Sequence, residues 1–167
     1  TIILQQSADG GATWVDIPLP VETTETLAAP KQAASTRTGN VVTFTGHGFD
    51  KCEIPTANQL QTWWNSSPYR VVNLYIGGVQ RACANSALSA AFLQQLSDQG
   101  WRFIPTWVGP QAPCTGYSNR FSYDTTTAYN QGVSEANAAL AVANSLGLTD
   151  GNSAETIIYY DLEGHSG

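Results

Sequence analysis

From residue 41 onward the apolar positions alternate between two rhythms: short β-prone runs, and longer segments whose apolar residues fall three or four apart. Residues 41–44 open a first strand that runs into Gly46-His47-Gly48-Phe49-Asp50. Residues 56–64 follow Pro55 and set Leu60, Trp63 and Trp64 on one helical face, with Thr56 as the N-cap. Residues 71–76 form a second strand closed by Gly77-Gly78. Ser89 caps a helix that gathers Phe92, Leu93 and Leu96 on one side and stops at Gly100. Residues 103–108 are the third strand, in which Pro105 demands a bulge or an edge because it has no N–H to give a ladder. An Ala-rich helix over about 126–146 ends at Gly147, and residues 157–161 are the fourth strand.

The beginning of the chain follows another pattern. Residues 1–6 alternate apolar and polar, Ser7-Ala8-Asp9-Gly10-Gly11-Ala12-Thr13-Trp14 supplies turn residues, and residues 15–17 are apolar again, which predicts a β-hairpin over 1–17. The octet resembles the Asp-box of hairpin turns in sialidases and other secreted β-proteins, where its role is architectural. One copy does not make a propeller, and Asp9 in a Gly-Gly turn is expected to bond its own backbone. Residues 18–40 turn to Pro, Thr, Ala and Ser without apolar periodicity and read as a linker. Residues 41–167 are left as one domain.

Strands joined by helix-sized connections imply a parallel sheet with right-handed crossovers. Two architectures satisfy this, an open doubly wound sheet and a (β/α)8 barrel, and both collect functional residues at the carboxyl ends of the strands. Those ends carry Asp50, Gly77-Gly78, Trp107 with Gly109, and then Asp161 with Glu163. Asp161 and Glu163 are two apart, so an extended chain points both the same way. Two neighbouring carboxyls disfavour each other's ionisation, leaving one protonated acid beside one carboxylate, a usable acid/base pair. The plainer alternative is a strand that has ended and turned polar.

Composition narrows the partners. The chain has 42% hydrophobic and 12% charged residues, as a folded domain does, and a net charge of −6 with seven Lys and Arg. Nucleic acid and anionic membrane surfaces are electrostatically unsupported, and no apolar run reaches the ~20 residues of a membrane span. The chain contains no Met, so a processed or partial chain is expected. Cys52, Cys83 and Cys114 lack the close pairing of a zinc site. Cys83 and Cys114 follow neighbouring strands on the same side of the sheet and are the preferred disulfide, with Cys52–Cys83 as the alternative. His47 between two glycines reads as a loop residue, and Gly77-Gly78 lacks the Lys-Ser/Thr ending of a phosphate loop. No metal and no cofactor are implied.

Gly48-Phe49-Asp50-Lys51-Cys52, Ser67-Pro68-Tyr69, Tyr75-Ile76-Gly77-Gly78, Arg81-Ala82-Cys83, the run from Ile104-Pro105-Thr106-Trp107 through Val108-Gly109-Pro110-Gln111-Ala112-Pro113-Cys114, and Tyr160-Asp161-Leu162-Glu163-Gly164 occur in that order. Together they resemble the glycoside hydrolase-like domain of bacterial exported proteins related to family 25 lysozymes. The resemblance covers about residues 48–167 and implies a (β/α)8-type barrel of which the first four β/α units are present, preceded by the β-hairpin. It also implies a secreted or cell-surface protein associated with the cell wall. Strands five to eight would lie on further chain, or a partner would cover the fourth strand, which is otherwise an exposed edge. On this resemblance Asp50, Asp161 and Glu163 form the acidic cluster. Glu163 is then the general acid to a glycosidic oxygen. Asp161 stabilises positive charge at the sugar or orients an N-acetyl group, and Asp50 positions substrate or tunes Glu163. Tyr75 and Trp107 are candidates for stacking on sugar rings. Hydrolysis of peptidoglycan or a related polysaccharide is the expected function. The alternatives are a non-catalytic glycan or cell-wall binding module and a structural assembly component.

Overall fold

The computed structural model describes residues 5–6, 15–16, 44–149 and 156–163. Its elements in chain order are β1 (Gln5–Gln6), β2 (Val15–Asp16), β3 (His47–Phe49), α1 (Ala57–Ser66), β4 (Tyr69–Gly77), α2 (Ala90–Gln99), β5 (Arg102–Trp107), α3 (Thr125–Ser145) and β6 (Tyr159–Tyr160). β3, β4, β5 and β6 form one parallel sheet in chain order. Because each crossover advances the strand order in the same direction with the same hand, the three helices fall on one face. A doubly wound sheet would reverse direction and place helices on both.

The expected fold needs correction. The expectation is the first four units of a (β/α)8-type barrel preceded by a β-hairpin; the described residues form a four-stranded, all-parallel, curled half-barrel sheet with three helices, open at β3 and β6, and the β-hairpin over 1–17 is not shown. The outer strands are short, three residues in β3 and two in β6. The first strand begins at His47, and Phe44 is exposed irregular chain. β1 and β2 pair antiparallel over two rungs in a separate sheet. The Asp-box-like turn at 7–14 and the linker at 18–40 lie outside the described residues.

Local chemistry explains the helices. Thr56 and Gln59 form a capping box on α1: the Thr56 hydroxyl accepts from the Gln59 N–H, and the Gln59 side chain accepts from the Thr56 N–H at 3.0 Å. Ser89 caps α2 by accepting from the Phe92 N–H, and Gly100 closes it at φ 110°. Asp124 caps α3, accepting from the Thr127 N–H at 2.8 Å. α3 approaches the sheet through Ala139 and Ala143, whose small side chains are buried.

Period two decides what each strand offers to each face. Val72, Leu74 and Ile76 of β4 are buried under the helices with Leu60, Leu93 and Leu96. Phe49, Trp63, Trp64 and Trp101 extend this core through edge-to-face contacts, with the Phe49 and Trp63 rings centred 4.6 Å apart and Trp64 and Trp101 5.4 Å apart. The intervening residues of β4, Asn73 and Tyr75, turn to the opposite, concave face. Pro105 lies inside β5, registered with Leu74, without a bulge at its own position; the register shift comes later, between Tyr75 and Gly77. Its missing N–H falls on the β6 side, where pairing begins only at Thr106, so no ladder bond is lost.

Candidate active site in an acidic cleft at the strand ends

The concave face ends in a cleft of about 330 Å³ lined by Asp50, Lys51, Cys52, Tyr75, Gln80, Arg81, Ala82, Val108, Asp161 and Glu163. Three carboxyls from opposite edges of the sheet meet there. Asp50 follows β3 directly and is held by side chains rising from the neighbouring strand. The Tyr75 hydroxyl donates to Asp50 Oδ2 at 2.8 Å, and Asn73 Nδ2 donates to Oδ1 at 3.3 Å. Thr106 Oγ1 donates in turn to Asn73 Oδ1 at 2.6 Å. A relay across β5, β4 and β3 thus fixes the Asp50 carboxylate. Its charge, accepting the Tyr75 proton, pushes the Tyr75 phenol up to about 12, with burial adding to the effect.

Asp161 and Glu163 lie just past β6 instead of within it. The strand has ended, as the plainer reading held, yet the chain stays tied to the sheet by the Asp161 N–H, which donates to Trp107 O at 2.9 Å. Both carboxyls therefore still reach one cleft. Asp161 sits above the ordinary carboxyl range because burial penalises its charge and because Glu163 and then Asp50 add like charge.

Gln111 is the residue that motif reading named without assigning a role. It is 1% exposed, and its side chain clamps the acidic segment. Its Nε2 donates to Asp161 O at 3.0 Å and Gly109 O at 3.1 Å, while its Oε1 accepts from the Glu163 N–H at 2.5 Å. Its backbone is bonded on both sides, to Asn119 and Phe121. One buried amide thus satisfies the backbone on either side of Leu162, which leaves the two carboxyls free to face the cleft. Tyr117 completes the rim, its hydroxyl donating to Glu163 Oε2 at 3.4 Å. The sequence signal was present in the Pro110-Gln111-Ala112-Pro113 run, but a polar residue between prolines is ordinarily solvated.

Tyr75 lines the cleft as expected. Trp107 does not, because it lies on the helical face of β5, 7% exposed. Its indole N–H donates to Glu135 of α3 at 2.7 Å, and its ring fills the space that a side chain at Gly77 would need. Tyr160 shares that face. Its hydroxyl donates to Pro110 O at 2.9 Å, and its phenol is raised by burial and then by the Glu135 charge.

The disulfide joins Cys52 to Cys83, with Cα atoms 5.7 Å apart, correcting the preferred Cys83–Cys114 pairing in favour of the alternative. Cys114 is exposed and takes no part in it. Cys83 follows β4, which neighbours both β3 and β5, so strand adjacency does not choose between Cys52 and Cys114; Asn85, two residues beyond Cys83, draws its loop to the one that carries Cys52. Asn85 Nδ2 donates to Cys52 O at 2.8 Å, and its Oδ1 accepts from the Ile54 N–H at 2.7 Å. Asn85 adopts a positive φ of 49° in doing so, a region that Asn tolerates better than most residues. His47 is exposed at the start of β3, and His165 lies outside the described residues. Among the described residues no cluster of three metal-ligating side chains occurs, and no helix is long and apolar enough to cross a membrane. The disulfide is chemistry of an oxidising compartment.

No curated protein and no solved structure matches the chain. Residues 61–166 match the model of one family, described as the Rv2525c-like, glycoside hydrolase-like domain. That span holds the cleft from Tyr75 through Glu163, and over most of its length the chain belongs to this Rv2525c-like, glycoside hydrolase-like family.

Proposed function

We propose that the cleft binds and hydrolyses a polysaccharide, with peptidoglycan or a related cell-wall glycan as the substrate and a secreted or cell-surface protein as the context. The observation that carries this reading is the convergence of Asp50, Asp161 and Glu163 on one cleft at the carboxyl ends of parallel strands. Glu163 at the exposed mouth is the general acid that protonates the glycosidic oxygen, and Asp161, the more buried of the two, lies beside it with its carboxyl raised by burial and by the charges of Glu163 and Asp50. Asp50, held by its bonds from Tyr75 and Asn73, faces the positive charge that develops at the sugar. The half-buried ring of Tyr75 offers a stacking surface.

Release of reducing ends from purified peptidoglycan is the test. Glu163→Gln keeps the shape of the side chain and removes its proton transfer, and it is expected to lower release by about 100-fold or more while glycan binding persists. Equal release by wild type and Glu163→Gln rules out hydrolysis at this site, and binding retained in both then identifies a non-catalytic glycan-binding module.

A further inference from the structure

The cleft that gathers three carboxyls also holds Lys51 and Arg81, two of only seven Lys and Arg in a chain of net charge −6. Among the described residues these cations are held by backbone carbonyls. Lys51 Nζ donates to Glu53 O at 2.9 Å, and Arg81 Nη1 donates to Tyr75 O at 3.1 Å and Ile76 O at 3.2 Å. Neither set of contacts uses all the donors of an ammonium or a guanidinium. The loops that carry them are locked together, since Cys52 next to Lys51 is bonded to Cys83, two residues beyond Arg81, and Asn85 ties both loops to the end of β4. The loops that carry the cations are therefore positioned before any ligand arrives, which lowers the ordering cost of binding. Across the cleft, Asp50 is engaged by Tyr75 and Asn73. A neutral sugar would use the carboxyls and Tyr75 and gain nothing from desolvating two cations.

We propose that Lys51 and Arg81 form a subsite for an oxyanion on the glycan, a ring carboxylate or a phosphate, so that the cleft selects an acidic polysaccharide over a neutral one. This rests on the glycan reading of the same cleft. The guanidinium matches a two-oxygen anion in a fork geometry, and the ammonium adds a point charge in the same cleft.

The test is calorimetric titration of the whole chain with three matched tetrasaccharides: one bearing a hexuronate, its methyl ester, and one bearing a phosphate on the same sugar. The charged forms are expected to bind roughly tenfold tighter than the ester at low salt. That advantage should shrink as salt is raised, and Lys51→Gln and Arg81→Gln should each reduce it severalfold. The tighter of the carboxylate and phosphate arms identifies the anion. Arg81 also holds backbone, so exposed Lys51, whose replacement leaves the core untouched, carries the test if Arg81→Gln melts early. An ester that binds as tightly as the acid overturns the subsite and leaves the glycan cleft standing, while failure of all three to bind overturns both.

Discussion

Asp161 is the carboxyl that the fold leaves least at ease with its charge. Its folded form holds a proton to higher pH than the unfolded chain does, because burial, Glu163 and Asp50 all oppose ionisation. Between the ordinary carboxyl value of 3.8 and the raised folded value the native state binds more protons than the unfolded state, so stability falls as pH rises through that window. Asp161→Asn is expected to remove this loss, gaining on wild type from acid pH towards neutrality in denaturant midpoints measured at several pH values. A constant difference at every pH would refute the raised carboxyl. Gln111→Leu strips both bonds from the part-buried Asp161–Glu163 backbone, which should cost about 1–3 kcal/mol in all. Urea unfolding reads the cost. Faster amide hydrogen exchange at Glu163 in the same variant would show that the clamp itself was lost.

At the scale of elements, the carboxyl end of β4 is the tightest point. Gly78 has φ 105°, and a Cβ there would meet the backbone of Val108, whose carbonyl accepts from the Gln80 N–H at 2.9 Å. Gly78→Ala is expected to destabilise by about 1–3 kcal/mol from backbone strain alone. Val108 would also move, and a fall in melting temperature accompanied by weakened glycan binding would report both effects. Helix signals were legible because caps are local: Thr56, Ser89 and Gly100 act within a few residues of themselves. The placement of Trp107 was not. Its position in the chain named it as a strand-end aromatic, but the parity of β5 sends it to the helices and to Glu135, and parity is fixed by pairing with β4.

For the molecule as a whole, the Cys52–Cys83 bond closes a loop of 31 residues that contains β4 and most of one cleft wall. Chain-entropy arguments put its contribution at about 3–4 kcal/mol. The double variant Cys52→Ser/Cys83→Ser is expected to lose stability of that order by denaturant unfolding, and reduction of the wild type should reproduce the loss. An unchanged midpoint would show that Asn85 holds the two loops without the bond. The open edge at β6 and the exposed side chains of Tyr159 and Leu162 beside it leave the concave face uncovered among the described residues.

By itself the sequence determined what short-range physics determines: the α and β segments and their caps, the strand-to-helix alternation that yields a parallel sheet, and three acids at strand ends. Tertiary structure alone decided the rest. It set the extent of the sheet, because closure depends on pairing between distant segments, and it chose Cys52 over Cys114 as the partner of Cys83, because Asn85 ties the loop after β4 to the backbone of Cys52 and Ile54. It also gave Gln111 its role and brought Asp50 to Asp161 and Glu163, since only folding lets residues more than a hundred positions apart perturb one carboxyl.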